Sequence, residues 1–226
     1  MEKLLETIEI ETGKNPTAAV IWMHGLGADA NDFVPIVNEL GLDGAPAVRF
    51  VFPNAPMRPV TINNGYVMRA WYDVSFGDLE GKSRHADEQG VRESQAQIGA
   101  FIEREVSRGI LHKNIMLAGF SQGGAIALHT GLRYPQKLGG VMALSTYLPL
   151  AESLPLEGTP ENKTVPIFMA HGVFDPVVPL LMGAGSMTYL IGLGYAVDWR
   201  QYPMQHSVCP QEIQDIGAWM RRVLNP

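Results

Sequence analysis

The stretch "LAGFSQGGAIALHTG", residues 117–131, runs apolar, crowds one serine among glycines, and turns apolar again at wider spacing. Ser121 lies between Gly119 and Gly123, with Gly124 directly after. Glycine is conformationally costly inside strands and helices. Three of them around one serine, at the seam between two apolar elements, mark a place where backbone shape outweighs local stability. The reading is a strand over 114–119 and a helix over 122–134, joined by a very tight turn.

Working outward, the same alternation recurs. "AAVIWMHG" (18–25) reads as a buried strand, followed by polar residues and a helix to about Leu40 capped by Asn31 or Asp32. "AVRFVFP" (47–53) is a second strand. Residues 53–88 read as a long loop-rich segment that nonetheless holds Trp71, Tyr72 and Phe76, and long ordered loops are often functional. Val91, Ile98, Phe101, Ile102 and Val106 fall at helical spacing up to Gly109. Strands follow at 139–146, 165–172 and 196–203, with helices over about 179–193 and from Pro210 onward, proline suiting a first helical position. Strands this apolar, each followed by a helix, imply an α/β fold: one doubly wound, mostly parallel sheet covered on both faces. The 226 residues show no linker or repeat, so one domain over 1–226 is expected.

Composition excludes several classes. Apolar residues at 46% and charged residues at 18% describe a globular chain and not a disordered one. A formal charge of −6 without a basic run leaves no footprint for nucleic acid. A single cysteine, Cys209, rules out an internal disulfide and fits a reducing compartment. With no secretory h-region and no run of membrane-spanning length, the expectation is a cytoplasmic, soluble protein without stable membrane insertion. No histidine shows metal-ligand spacing, so no metal or cofactor is expected.

Ligands of such sheets sit at the carboxyl ends of the strands, and Ser121 stands at one. Gly119-Phe120-Ser121-Gln122-Gly123 is G-x-S-x-G, a turn that lifts a serine hydroxyl off the sheet for nucleophilic attack. A serine needs a general base, itself oriented by an acid, and on this architecture the chain order is Ser, Asp or Glu, then His. His206, in a loop between the last strand and the last helix, is the base that order selects. Asp175, just beyond a strand and held extended by Pro176, is the acid; Asp198 competes but lies within a strand. His129 sits on the helix leaving the serine, and His24 precedes the serine and reads as structural. The oxyanion donors are the N–H of Gln122 and that of Leu26, between the two glycines of "HGLGAD" (24–29). Cys209 lacks both a tight turn and an oxyanion loop and reads as an ordinary free thiol.

The segments "WMHGLGAD", "AWYD", "LAGFSQGGAIALHTG", "ALSTYLP", "HGVFDPVVP" and "IGAWM" together resemble the carboxylesterase/acyl-protein thioesterase (phospholipase/carboxylesterase) family of α/β-hydrolases, over nearly the whole chain. The resemblance implies the α/β-hydrolase fold and the same five residues: Ser121, Asp175 and His206, with Leu26 and Gln122. It also implies no cofactor, a small-molecule ester or lipid-like acyl substrate, and a homodimer among the possible assemblies. "ALSTYLP" and "DPVVP" resemble bacterial carboxylesterases more than eukaryotic depalmitoylating enzymes, so the expected activity is hydrolysis of short- to medium-chain esters. A thioesterase or lysophospholipase using the same residues is the alternative, and a non-catalytic binding protein on this fold is a more distant one. The chain departs from many members at Gln205, where they carry glycine before the histidine. Met68, Trp71, Phe76, Val177 and Val178 are the expected substrate contacts, although each also suits plain packing of its loop, and Tyr72 and Asp73 are expected to brace the 53–88 segment.

Overall fold

A computed structural model describes residues 4–75 and 87–225. Among them, seven strands form one sheet in the order β1-β3-β2-β6-β7-β8-β9. These are β1 (Thr7–Glu11), β2 (Ala18–Met23), β3 (Val48–Pro53), β6 (Ile115–Phe120), β7 (Gly140–Leu144), β8 (Ile167–Gly172) and β9 (Val197–Tyr202). All pair in parallel except β1, which runs antiparallel to β3 at the edge. This is the α/β-hydrolase architecture that the alternation of apolar strands and helices implies. The edge strand β1 escapes the apolar reading because only part of it is covered: Ile8 and Ile10 alternate with glutamates.

The chain leaves β2 for β3, then returns past β2 to β6, so β2 and β6 are neighbours with connections leaving in opposite directions. A crevice opens at such a reversal, beyond the strand ends. Both loops that matter begin there: residues 24–29 after β2, and Ser121 after β6.

Every residue of β2, β3, β7 and β8 is buried, because helices cover both faces. Side chains alternate between faces along each strand. In β2, Ala19, Ile21 and Met23 meet Ile98, Phe101 and Ile102 of α1 (Glu88–Ser107) and Ile126 and Leu128 of α2 (Gln122–Arg133). Val20 and Trp22 face the other way, into a core with Phe33, Phe52 and Trp219. A short helical turn, α3 (Leu154–Glu157), and α4 (Leu180–Gly192) follow on the first side, and α5 (Pro210–Leu224) closes the second through Ile213, Ile216, Trp219 and Met220.

Two readings change. The helix expected to reach Leu40 is only a 3-10 turn, Val34–Asn38, with Pro35 at its start. Gly41 follows at φ 56°, a left-handed conformation that ends the turn. Residues 53–75 are less loop-like than expected: β4 (Met57–Val60) and β5 (Tyr66–Arg69) form an antiparallel hairpin around Asn64 and Gly65, both at positive φ. Phe76, one of the expected substrate contacts, lies outside the described residues.

Glu212 lies in the first turn of α5, fully buried, and neither carboxyl oxygen has a hydrogen-bond partner among the described residues. Burial, with Asp215 adding repulsion, pushes its carboxyl up to about 8. The folded state therefore holds a proton that the unfolded chain releases near its ordinary carboxylate range. The stabilisation from that proton is complete at low pH and is lost as pH rises toward 8. Buried His24, His129 and His171 are shifted down by desolvation and act oppositely, but only below the ordinary histidine range. Between pH 6.5 and 7.5, urea unfolding should show Glu212 costing about 1 kcal/mol of stability per pH unit, a slope that flattens above pH 8 and that Glu212→Gln removes.

Candidate active site

Ser121 has φ 53° and ψ −121°, a strained conformation for a residue with a side chain. Three close approaches impose it. A Cβ on Gly119 would lie 2.2 Å from the Gly123 carbonyl carbon, and one on Gly123 would lie 2.3 Å from the Met23 carbonyl oxygen. A Cβ on Gly124 would meet Gly119 O and Thr146 Cγ2, each at 2.8 Å. The first turn of α2 thus rests directly on the ends of β2 and β6, and only glycine fits between.

The structure brings Ser121, Asp175 and His206 together. His206 Nδ1 is 2.7 Å from Asp175 Oδ2, and its Nε2 is 3.0 Å from Ser121 Oγ. With Nδ1–H donating to the carboxylate, Nε2 is left as the acceptor for the serine hydroxyl. Asp175 has no exposed side-chain surface, and its Oδ1 accepts the N–H groups of Val177 at 2.8 Å and Val178 at 2.9 Å. Asp198, the competing acid, instead pairs with Arg200 and Arg222 at the surface. The Phe120 ring lies against the His206 imidazole, 4.7 Å between centroids. Gln205 requires no positive φ, so a side chain there costs the backbone nothing.

Leu26 sits in the loop that abuts the serine: a Cβ on Gly25 would lie 3.5 Å from Ser121 Cβ. Gly27 N–H donates to Arg69 O, and Ala28 N–H donates to Gly25 O. The Leu26 N–H has no backbone acceptor among the described residues. Gln122 is the first residue of α2, so its N–H has no helical acceptor either. His24 holds the loop as a neutral ring: Nδ1 donates to Gly25 O at 2.7 Å, and Nε2 accepts the Ala55 N–H at 3.0 Å. His129 is buried against Gln95 and held down at about 3 by desolvation, far from any role as base at neutral pH.

The expected substrate contacts divide. Val177 is 47% exposed, and Met68 is half-buried with its sulfur beside Gly27. Val178 is buried beneath the acid loop. Trp71 is corrected most: it is 0% exposed, and its indole N–H donates to His24 O at 2.9 Å. It stands behind the loop over 24–29 and not in a groove. Asp73 and Tyr72 brace this region, Asp73 accepting from Thr61 N–H and hydroxyl and Tyr72 OH meeting Tyr147 OH.

Two contributors escaped the sequence reading. The Gln122 side chain, not only its N–H, reaches across to the chain after β5. Its Oε1 accepts the Trp71 N–H at 2.8 Å, and its Nε2 donates to Tyr72 O at 2.6 Å. A long amide opening an otherwise apolar helix was the available signal. His171 donates from Nε2 to Val178 O at 2.9 Å and lies 3.6 Å from Asp175 Oδ2, which locks the turn carrying the acid.

The profile of the phospholipase/carboxylesterase family matches residues 5–224. The chain belongs to that family. As a phospholipase/carboxylesterase member it is a serine hydrolase acting on esters. It is 38% identical over 216 residues to acyl-protein thioesterase 1 of Gibberella zeae, covering 93% of this chain and 92% of that one. It is 41% identical over 213 residues to the protein of the same name from Neurospora crassa, covering 90% and 86%. Among solved structures, Arabidopsis thaliana SOBER1 aligns with a TM-score of 0.84 at 32% identity, covering 92% of this chain and 99% of that one. The expected affinity to bacterial carboxylesterases is corrected: the chain-long similarity at 38–41% identity is to fungal proteins named acyl-protein thioesterase 1. No helix of the described residues is long and apolar enough to cross a membrane.

Gln122→Ala removes the acceptor of the Trp71 N–H and one donor to the Tyr72 carbonyl, and loosens the segment behind the 24–29 loop. Loss of a buried amide's partners is worth about 1–3 kcal/mol. Ester hydrolysis should fall about tenfold or more in kcat, with a smaller change in KM, while circular dichroism shows the fold retained.

Proposed function

We propose that the protein hydrolyses S-acyl thioesters, and oxygen esters of similar acyl chains, through an acyl-enzyme on Ser121. The observation that carries this reading is the unbroken contact from Asp175 through His206 to Ser121, at 2.7 and 3.0 Å. Ser121 gives its proton to His206 Nε2 as its oxygen bonds the acyl carbon, and the N–H groups of Leu26 and Gln122 receive the developing oxyanion. The carbon–sulfur or carbon–oxygen bond then breaks, and the Nε2 proton passes to the departing atom. Water, giving its proton to the same nitrogen, attacks the acyl carbon and releases the acid, and Ser121 recovers its proton. Asp175 keeps the imidazole in the required tautomer and stabilises its cation, and the two backbone N–H groups on its other oxygen hold it in line.

Similarity to acyl-protein thioesterase 1 over about nine-tenths of the chain supports an S-acyl substrate. So does the apolar rim beside the acid, where Phe174, Val177 and Leu181 are 66%, 47% and 83% exposed. Such a surface suits an acyl chain laid along it.

A fluorophosphonate should label the wild type and fail on Ser121→Ala, whose kcat should fall roughly a millionfold. With matched thioesters and esters from two to sixteen carbons, kcat/KM should rise toward long chains and favour the thioester. A maximum at short oxygen esters would instead make it a carboxylesterase of small substrates, and labelling that survives Ser121→Ala would remove the serine from the chemistry.

A further inference from the structure

We propose that the cavity walled by His206 and Phe120 is a leaving-group subsite that takes a cationic thiol or alcohol. The proposal rests on the reaction assigned above, since it concerns what departs from the acyl carbon. His206 hands its Nε2 proton to the departing atom, so the leaving group must pass against this ring. A cavity of about 310 Å³ adjoins this imidazole, with His206, Ser207 and Phe120 in its wall. Its floor is apolar and aromatic: Phe33 lies 5.6 Å from Phe120 between ring centroids, and Ile213 is buried beside them.

The mouth is acidic. Asp32 and Glu39 line it, and no lysine or arginine does. Neither carboxylate forms an ion pair among the described residues. Aromatic rings under two uncommitted carboxylates are the chemistry that receives an ammonium group, through cation–π attraction and direct charge. Leu26, Gln122 and Val177 are not among the residues that line this cavity, which leaves the surface beside them for the acyl chain. Division of labour follows: the acyl carbon stays at Ser121, the hydrocarbon tail leaves toward the apolar rim, and a positive charge a few bonds from the leaving atom settles at the acidic mouth. Either a small ammonium thiol or a lysine beside an acylated cysteine carries that chemistry.

The test compares kcat/KM for butyrylthiocholine with that for its uncharged carbon isostere, S-(3,3-dimethylbutyl) thiobutyrate, in low-salt buffer. An S-octanoyl-cysteine peptide with lysine next to the cysteine, set against the same peptide with glutamine, forms the second pair. The cationic member of at least one pair should be preferred about tenfold, and the pair that shows it identifies the source of the charge. The preference should shrink in 0.5 M salt, about where screening reaches a few Å. It should approach one in Asp32→Asn/Glu39→Gln, and persist in Asp43→Asn, which removes a charge elsewhere on the surface. Equal rates within both pairs, or a preference that survives Asp32→Asn/Glu39→Gln, overturn the subsite. Turnover of the uncharged thioesters reads the underlying reaction separately: if they are hydrolysed and the preference is absent, only the subsite fails.

Discussion

The carbonyl oxygens of Met23 and His24 lie 2.3 and 2.6 Å from where a Cβ on Gly123 would stand. That contact between the first turn of α2 and the end of β2 governs the site. Any side chain at Gly123 would lift the helix, and with it the Gln122 N–H, away from the loop that holds Leu26. The strained φ of Ser121 follows from the same crowding, since the turn has no other way to bring β6 into a helix that close. The cost of that strain is carried by the covered core beneath, where α1 and α2 pack on β2, β6 and β7.

From this contact a chain of hydrogen bonds reaches outward. Gln122 grips Trp71 and Tyr72, Trp71 grips the His24 carbonyl, and Arg69 accepts from Gly27. With the Ala55 N–H donating to His24, the chain on both sides of the β4–β5 hairpin is tied to the loop over 24–29. In the mechanism proposed for this site, such ties would hold the Leu26 and Gln122 N–H groups still as charge develops on the substrate. The neutral, desolvated rings of His24 and His171 serve the same end, as fixed hydrogen-bonding groups beside the oxyanion loop and the acid turn.

The residues around the serine hold opposite characters on two sides. Exposed apolar side chains flank Asp175, whereas carboxylates and aromatic rings meet beyond His206. An ester or thioester is itself divided in this way, into an acyl tail and a departing group, and the position of the imidazole between the two regions matches that division.

The sequence alone determined the alternation of apolar strands and helices, the tight turn at Ser121, and the order in which Asp175 and His206 follow it. Those features are local or depend only on chain order, so spacing and glycine placement reveal them. The edge strand β1 was hidden because an edge carries half the apolar signal, and the hairpin within 53–75 because short, exposed strands carry little more. Trp71 was misplaced because a tryptophan buried behind a loop and one lining a groove look the same in a sequence. The second function of Gln122, the contact of His171 with the acid turn, and the acidic cavity beside His206 were decided only by the tertiary structure. Gln122 and the cavity join segments distant in the chain, and the short-range His171 contact depends on how the turn after β8 folds back, so side-chain reach of either kind leaves no periodic trace to read.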